Sequence, residues 1–323
     1  MPSVKALIVK LTTAIRLTRL TMAFGAVSDV WFVILLTRAF PVYEDVEIYD
    51  MPLVVALIAG AVVATGLFAY GASLNDVLDV RHDSTFSPDR PIPAGRIKLG
   101  QAIVVTVASL LITVVAAAPM GRLALWIMLL VAAAILFYNA AGRFIPAVGL
   151  VTIGLIHAAH MVIPNAHLSF TLPVWLVMTH AMGIAAAVHI LEDKRPRLGP
   201  RSLAGIVVGW LFWSVLVIGY GALRGGIWPS GTPLWTVIWP ATAVAGFLVV
   251  SIWKAGAVQG AVAAEKLKRY GAMWQALYGA AWLMALGLEV QAAWLGAVAV
   301  AGFGVMTAIK EITGFTGRPV VYR

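Results

Sequence analysis

Apolar residues along this chain come in blocks of about twenty, separated by short polar stretches. A helix of about 20 such residues crosses the ~30 Å hydrocarbon core of a bilayer. Blocks of that kind run near 20–40, 51–74, 99–118, 120–138, 145–163, 171–190, 203–222, 234–253, 272–288 and 291–309. They predict ten membrane-spanning helices, the last two divided only by Glu289 and a short polar break. The connections are too short to hold a soluble domain, so residues 1–323 read as one polytopic, all-α membrane domain.

Composition agrees: 61% of residues are hydrophobic and 11% charged, with a mean hydropathy of +0.93, outside the range of soluble domains. Charge placement then gives an orientation. With the N-terminus in the cytoplasm, 20 of the 23 basic residues fall inside, and only Arg38, Arg122 and Arg224 fall outside. The first outer loop carries Glu44, Asp45, Glu47 and Asp50 instead. Ten spans return the basic tail to the inside; nine would leave it outside. The net charge of +9 therefore reports topology and anionic lipid headgroups rather than nucleic acid. Cysteine is absent, which excludes disulfides, thiolate metal sites and thiol nucleophiles. The first apolar block is too long for a signal peptide and reads as a retained helix, preceded by a short surface helix over residues 1–19.

Candidate chemistry concentrates where the second block meets a polar loop. Asn75, Asp76, Asp79 and Asp83 form an NDxxDxxxD run. At about 100° per residue they share roughly one 100° sector of a helix, over about two turns. Carboxylates crowded on one face repel one another and are costly near lipid. Mg²⁺ resolves that conflict, since it takes oxygen ligands and bridges carboxylates to phosphate groups. As helix-end residues these acids are expected to be exposed. Directly after them, Ser87-Pro88-Asp89-Arg90-Pro91-Ile92-Pro93-Ala94-Gly95-Arg96-Ile97 sets a stiff turn. Arg90, Arg96 and Lys98 bring positive charge back toward the acids, as a diphosphate clamp requires.

The run from Asn75 to Asp83, followed by Asp89-Arg90-Pro91-Ile92-Pro93-Ala94-Gly95, resembles the first signature of the UbiA superfamily of intramembrane prenyltransferases. Its wording is closest to members acting on glyceryl-phosphate lipids and to the EboC-like branch. The resemblance implies a helical membrane bundle, with nine spans as the family norm against the ten read here, around a central cavity. It implies Asp76, Asp79 and Asp83 as catalytic Mg²⁺ ligands, with Asn75, Arg90 and Arg96 on the diphosphate. The family's second signature, a DxxxD ending the sixth helix, falls in His189-Ile190-Leu191-Glu192-Asp193-Lys194-Arg195-Pro196-Arg197 and is altered. Only Glu192 and Asp193 offer carboxylates to a metal there, pointing about 100° apart. Lys194, Arg195 and Arg197 are expected to contact diphosphate in their place; a basic loop with a decayed motif is the other reading. Tyr138 and Arg143 match the family's Tyr and following basic residue, with Arg143 five residues on rather than four. Tyr138 is read either as an orienting catalytic side chain or as an interface anchor.

Several polar residues lie inside the apolar blocks. Asp29 is read as facing the cavity and an acceptor or basic loop residue, or as paired with a structural partner. His157 and His160 share a helix face; with Asn165 and His167 they make an incomplete metal set. Walker, HExxH and serine-triad signatures are absent.

The expected function is Mg²⁺-dependent transfer of an isoprenyl group from an isoprenyl diphosphate to a lipophilic acceptor within the inner or plasma membrane, with the acidic motifs facing the cytoplasm. The alternative is a non-catalytic prenyl-lipid binding or export component of the same fold. An ion-coupled transporter is disfavoured, because the acids cluster at the membrane edge rather than the midplane.

Overall fold

A computed structural model describes residues 23–225 and 227–315. The expected surface helix over 1–19, and tail residues Arg318 and Arg323, lie outside the described residues. Among the described residues, ten long helices and two short ones build the bundle: α1 (Phe24–Ala39), α2 (Leu53–Leu78), α3 (Val80–Phe86), α4 (Leu99–Ala117), α5 (Arg122–Ala140), α6 (Pro146–Met161), α7 (Leu172–Leu191), α8 (Pro200–Arg224), α9 (Ile238–Gly256), α10 (Gly260–Ala285) and α11 (Glu289–Phe315), with the second short helix, Glu47–Asp50, in the loop between α1 and α2. Seven of the long helices are both long and apolar enough to cross a membrane. Of the other three, α1 and α6 have 16 residues each, and α10 carries charge in its first turns.

Packing sorts the helices into two layers. α1, α2, α5, α6, α7 and α10 close into a ring, each packed on the next, and α1 also touches α6 across it. Outside the ring, α4 lies on α2 and α5, α8 on α6 and α7, α9 on α10, and α11 on α10 and α1. Burial follows this division. Val30, Phe32, Val33 and Ile34 on α1 are fully buried, whereas Leu211, Phe212 and Val215 on α8 are exposed. In lipid, that exposure needs no partner, since the acyl chains solvate it. Successive helices alternate in direction, so the ends of α2, α7 and α9 and the starts of α6, α8 and α10 gather at one end of the bundle.

The apolar blocks locate nine of the helices within a few residues and miss the start of α10. The expected block began at 272, but the helix begins at Gly260 and takes in Lys266, Lys268 and Arg269. Hydropathy marks only the lipid-embedded half of a helix, and this one extends its first turns into the polar region. The turn at Glu289 is as expected: α10 ends at Ala285, the chain turns at Gly287 with φ 75°, and Glu289 opens α11.

Candidate active site

The acidic run straddles a junction. α2 stops at Leu78, and Asp79, with φ −89° and ψ 4°, links it to α3. Four-residue hydrogen bonds still cross the break: the Asp79 N–H donates to the Asn75 carbonyl at 3.0 Å, and that of Asp83 to Asp79 at 2.8 Å. Helical spacing is therefore kept, and the acids stay on one side. They are not exposed as expected. Asp76 is only 4% exposed and Asp83 only 2%.

Burying carboxylates requires partners, and two arginines supply them. Arg90 Nη1 reaches Asp83 Oδ2 at 2.8 Å and Asp76 Oδ1 at 3.3 Å. The proline-rich loop that carries Arg90 is pinned by Ile92, which buries with Ala102 among Val77, Val80, Ile97 and Val105. Burying an isoleucine contributes on the order of 2 kcal/mol, enough to hold a short loop in one place. Arg143 grips Asp79 with both terminal nitrogens, and its Nη1 also donates to Asn75 Oδ1 at 3.1 Å. Asn75 Nδ2 closes the triangle on Asp79 Oδ2 at 3.2 Å.

Arg143 sits on a single 3₁₀ turn, Gly142–Phe144, between α5 and α6. Gly149 lets α6 approach that turn, since a Cβ there would lie 2.9 Å from the Gly142 carbonyl oxygen. The hydrogen bond to Asp79 raises the Arg143 pKa further; burial opposes this, and the charges of Asp79, Tyr138 and Asp83 add to it. The Arg143 Nε is buried and has no protein partner. Arg96 is half-buried and Lys98 exposed at the start of α4; neither forms an ion pair among the described residues.

The second region is built differently. α7 ends with the Asp193 N–H on the Ile190 carbonyl at 3.1 Å and the Lys194 N–H on the His189 carbonyl at 3.0 Å. This is the left-handed helix stop that usually takes glycine, and Asp193 adopts it at φ 45°. The turn carries Asp193 outward, 62% exposed, where Arg197 binds it at 2.9 and 3.1 Å and Arg195 at 3.7 Å. Glu192 stays half-buried, held by Lys268 from α10 at 2.7 Å and by Lys194 at 3.0 Å. Burial would raise its pKa, but the Lys268 hydrogen bond and the charges of both lysines hold it below the ordinary value. Arg197 likewise depresses Asp193. His189 Nε2 lies 2.8 Å from the Pro196 carbonyl oxygen.

Among the described residues no group of three or more His, Asp or Glu side chains is gathered as a metal cage. The first region nonetheless offers what Mg²⁺ takes: three carboxylates and an amide oxygen on one side of a helix end, with the arginines in the cation's place. In the second region the two acids diverge, Asp193 turning out to solvent with Arg197 and Glu192 turning in to Lys268. Asn165 bonds to Thr37 at 3.0 Å and caps the N–H of His167 at 2.8 Å, which takes it out of any set with His157 and His160. Lys268 and Gln275 were not singled out from sequence. Gln275 interrupts an apolar block, the same signal that marked Asp29. A concavity of about 300 Å³ between Phe40, Tyr43, Ser169 and Leu286 lies at the opposite end and holds none of these residues.

A multi-pass membrane bundle with buried acids and arginines at one end is the class this fold and site define. The chain belongs to the UbiA prenyltransferase family, whose family model matches residues 42–275. Over 64 residues it is 45% identical to a digeranylgeranylglyceryl phosphate synthase of Methanosarcina barkeri, covering 20% of this chain and 18% of that protein. Over 99 residues it is 31% identical to the synthase of the same name from Sulfurisphaera tokodaii, covering 31% and 34%. The matched stretches thus span about a third or less of these relatives. The fold is similar to that of a solved digeranylgeranylglyceryl phosphate synthase, with TM-score 0.55 and 19% identity over 85% of this chain and 98% of that one. It also resembles a UbiA homologue from Aeropyrum pernix, with TM-score 0.52 and 18% identity over 83% and 98%.

Proposed function

We propose that the protein is a prenyltransferase, one domain over residues 1–323, that moves an isoprenyl group from its diphosphate to a lipophilic acceptor in the membrane. The observation that carries this reading is the pairing of three clustered carboxylates with Arg90 and Arg143 at one end of the ring. We place that end in the cytoplasm, where the basic residues accumulate. Asp76, Asp79 and Asp83 would hold Mg²⁺, with Asn75 as a neutral ligand or support. Bound there, the ion neutralises diphosphate and favours its departure.

The chain's own residues do the rest. Arg90 and Arg143, which hold these carboxylates in the structure, would contact the diphosphate oxygens. The unpartnered Nε–H of Arg143 already lacks an acceptor. As the allylic C–O bond breaks, its electron pair leaves with the diphosphate, and the arginines stabilise the developing charge. Tyr138 orients Arg143. The acceptor's nucleophile forms the new bond to the allylic carbon and loses its proton, in a ring interior that keeps water from quenching the cation. Arg96, Lys194, Arg195 and Arg197 would add diphosphate contacts around the rim. The names of the curated relatives make a glyceryl phosphate lipid the first acceptor to test.

The test is diphosphate release by the purified protein, with Mg²⁺, a prenyl diphosphate and that lipid. Turnover should fall to background in Asp76→Asn and Asp79→Asn, both close in shape to the native side chains. Retained turnover in either variant would remove the first motif from the mechanism. The closed Glu192–Lys268 contact favours a second reading, a lipid-binding component without catalysis. Donor binding without turnover on any acceptor would establish it.

A further inference from the structure

Four ring helices bring polar side chains together deep in the bundle. Asp29 of α1, 2% exposed, accepts a hydrogen bond from Gln275 Nε2 of α10 at 3.0 Å. The same nitrogen lies 3.4 Å from His157 Nδ1 of α6. One turn along α10, the Tyr278 hydroxyl is 3.2 Å from His180 Nδ1 of α7, and the other His180 nitrogen is 3.1 Å from the Gly271 carbonyl oxygen. His160 Nε2 is buried without a partner. His157 itself is only half-buried. Its Nδ1 reaches toward Gln275 of α10, on the other side of the ring, so the imidazole points into the ring.

The depth of this layer can be read from the helices. His157 lies eleven residues along α6 from Pro146, about 16 Å from the end where Arg143 meets Asp79. On α2, Gly60 packs against Val30, next to Asp29, and is sixteen residues from Asp76, about 24 Å. An extended chain advances roughly 1.2 Å per bond, so an isoprene unit of four chain bonds spans about 5 Å. Between about three and five units fill the distance from clamp to polar layer.

We propose that Asp29, Gln275 and His157 form the floor of the isoprenyl channel and set the longest donor tail the protein accepts. The inference rests on the prenyltransferase reading and adds a specificity element to it. A tail of three or four units ends above the layer among apolar side chains. A longer one presses its methyl groups onto a carboxyl, an amide and an imidazole, displacing their hydrogen-bond partners and supplying none. Ile153 stands one turn nearer the clamp on the same face of α6 as His157, and it too is half-buried. A larger side chain there raises the floor by about one turn, 5–6 Å, or one isoprene unit.

The experiment measures Mg²⁺-dependent binding of geranyl, geranylgeranyl and hexaprenyl diphosphates to the full-length protein in nanodiscs. For the native chain, affinity rises from two units to four and falls at six. His157→Ala removes part of the floor and shifts the six-to-four affinity ratio about tenfold toward the longer donor. Asp29→Asn, which keeps the hydrogen bonds, leaves the ratio unchanged. Ile153→Phe shifts the four-to-two ratio about tenfold toward the shorter donor, and it remains a test should His157→Ala not fold. Equal ratios in the native protein, His157→Ala and Ile153→Phe overturn the floor while leaving the prenyltransferase reading intact. Failure of the native protein to bind any of the three overturns both.

Discussion

The acidic run at the end of α2 and the acidic pair at the end of α7 use the same residue types and resolve their charge by different routes. Asp76 and Asp83 are buried, and they and Asp79 are paired with arginines from a separate loop and from the turn before α6. Asp193 is exposed and paired with Arg197, four residues on. The first arrangement depends on the whole fold to bring its partners together. The second depends on one turn of chain. Glu192 stands between them, half-buried and tied by Lys268 to another ring helix. What separates a site from a surface here is the distance along the sequence over which charge is balanced, more than the number of acids.

The sharpest way to break that comparison is to remove a partner from the buried side. Arg90→Ala leaves two nearly buried carboxylates without their cation, and stranding a charge in this way costs roughly 3 kcal/mol or more. We expect a clear fall in the thermal midpoint of the detergent-solubilised protein, and loss of diphosphate binding. A midpoint within a degree of the native value would mean that the acids are wetter than their burial suggests, and the contrast between the two regions would narrow.

The exposed side predicts a smaller and different effect. Pairs as open as Asp193–Arg197 are screened by water and salt, so replacing Arg195 and Arg197 together with Ala should leave the thermal midpoint unchanged. If these arginines stand in for the missing second pair of acids, the same double replacement weakens diphosphate binding about tenfold. Unchanged binding would reduce the second region to an ordinary basic loop.

How much of this was legible follows from the range of each interaction. The NDxxDxxxD run, with its arginine loop, is a local pattern, and sequence spacing alone put its side chains on one face. The burial of Asp76 and Asp83 was not legible, because it depends on Ile92 folding the loop back onto α2 and α4. The Arg143–Asp79 contact joins residues 64 positions apart, and only family resemblance drew attention to Arg143. At the second region the spacing showed that the acids diverge. It did not show that α7 would stop in a left-handed turn at Asp193, because that turn ordinarily announces itself with glycine, as at Gly287. Lys268 went unnoticed because it fell in what read as a loop. Hydropathy has no signal for a helix that continues beyond the lipid.

The smallest effect concerns the intermediate case, Glu192. Its folded pKa lies below the ordinary value of 4.5, because Lys268 and Lys194 outweigh the opposing effect of burial. A carboxyl depressed on folding contributes stability that is fully present above the unfolded pKa and is lost as pH falls through the folded one. The native protein should therefore lose a small increment of thermal stability as pH drops below about 4.5. Lys268→Met removes the larger of the two cationic partners and should flatten that part of the profile, with a modest loss of stability at neutral pH. Lys194→Met, which removes the more exposed partner, should flatten it less. A profile identical in all three proteins would show that the contact between α7 and α10 is made by packing alone. Glu192 would then group with Asp193 as a surface acid, and the buried run at α2 would stand apart from both as charge balanced across the bundle.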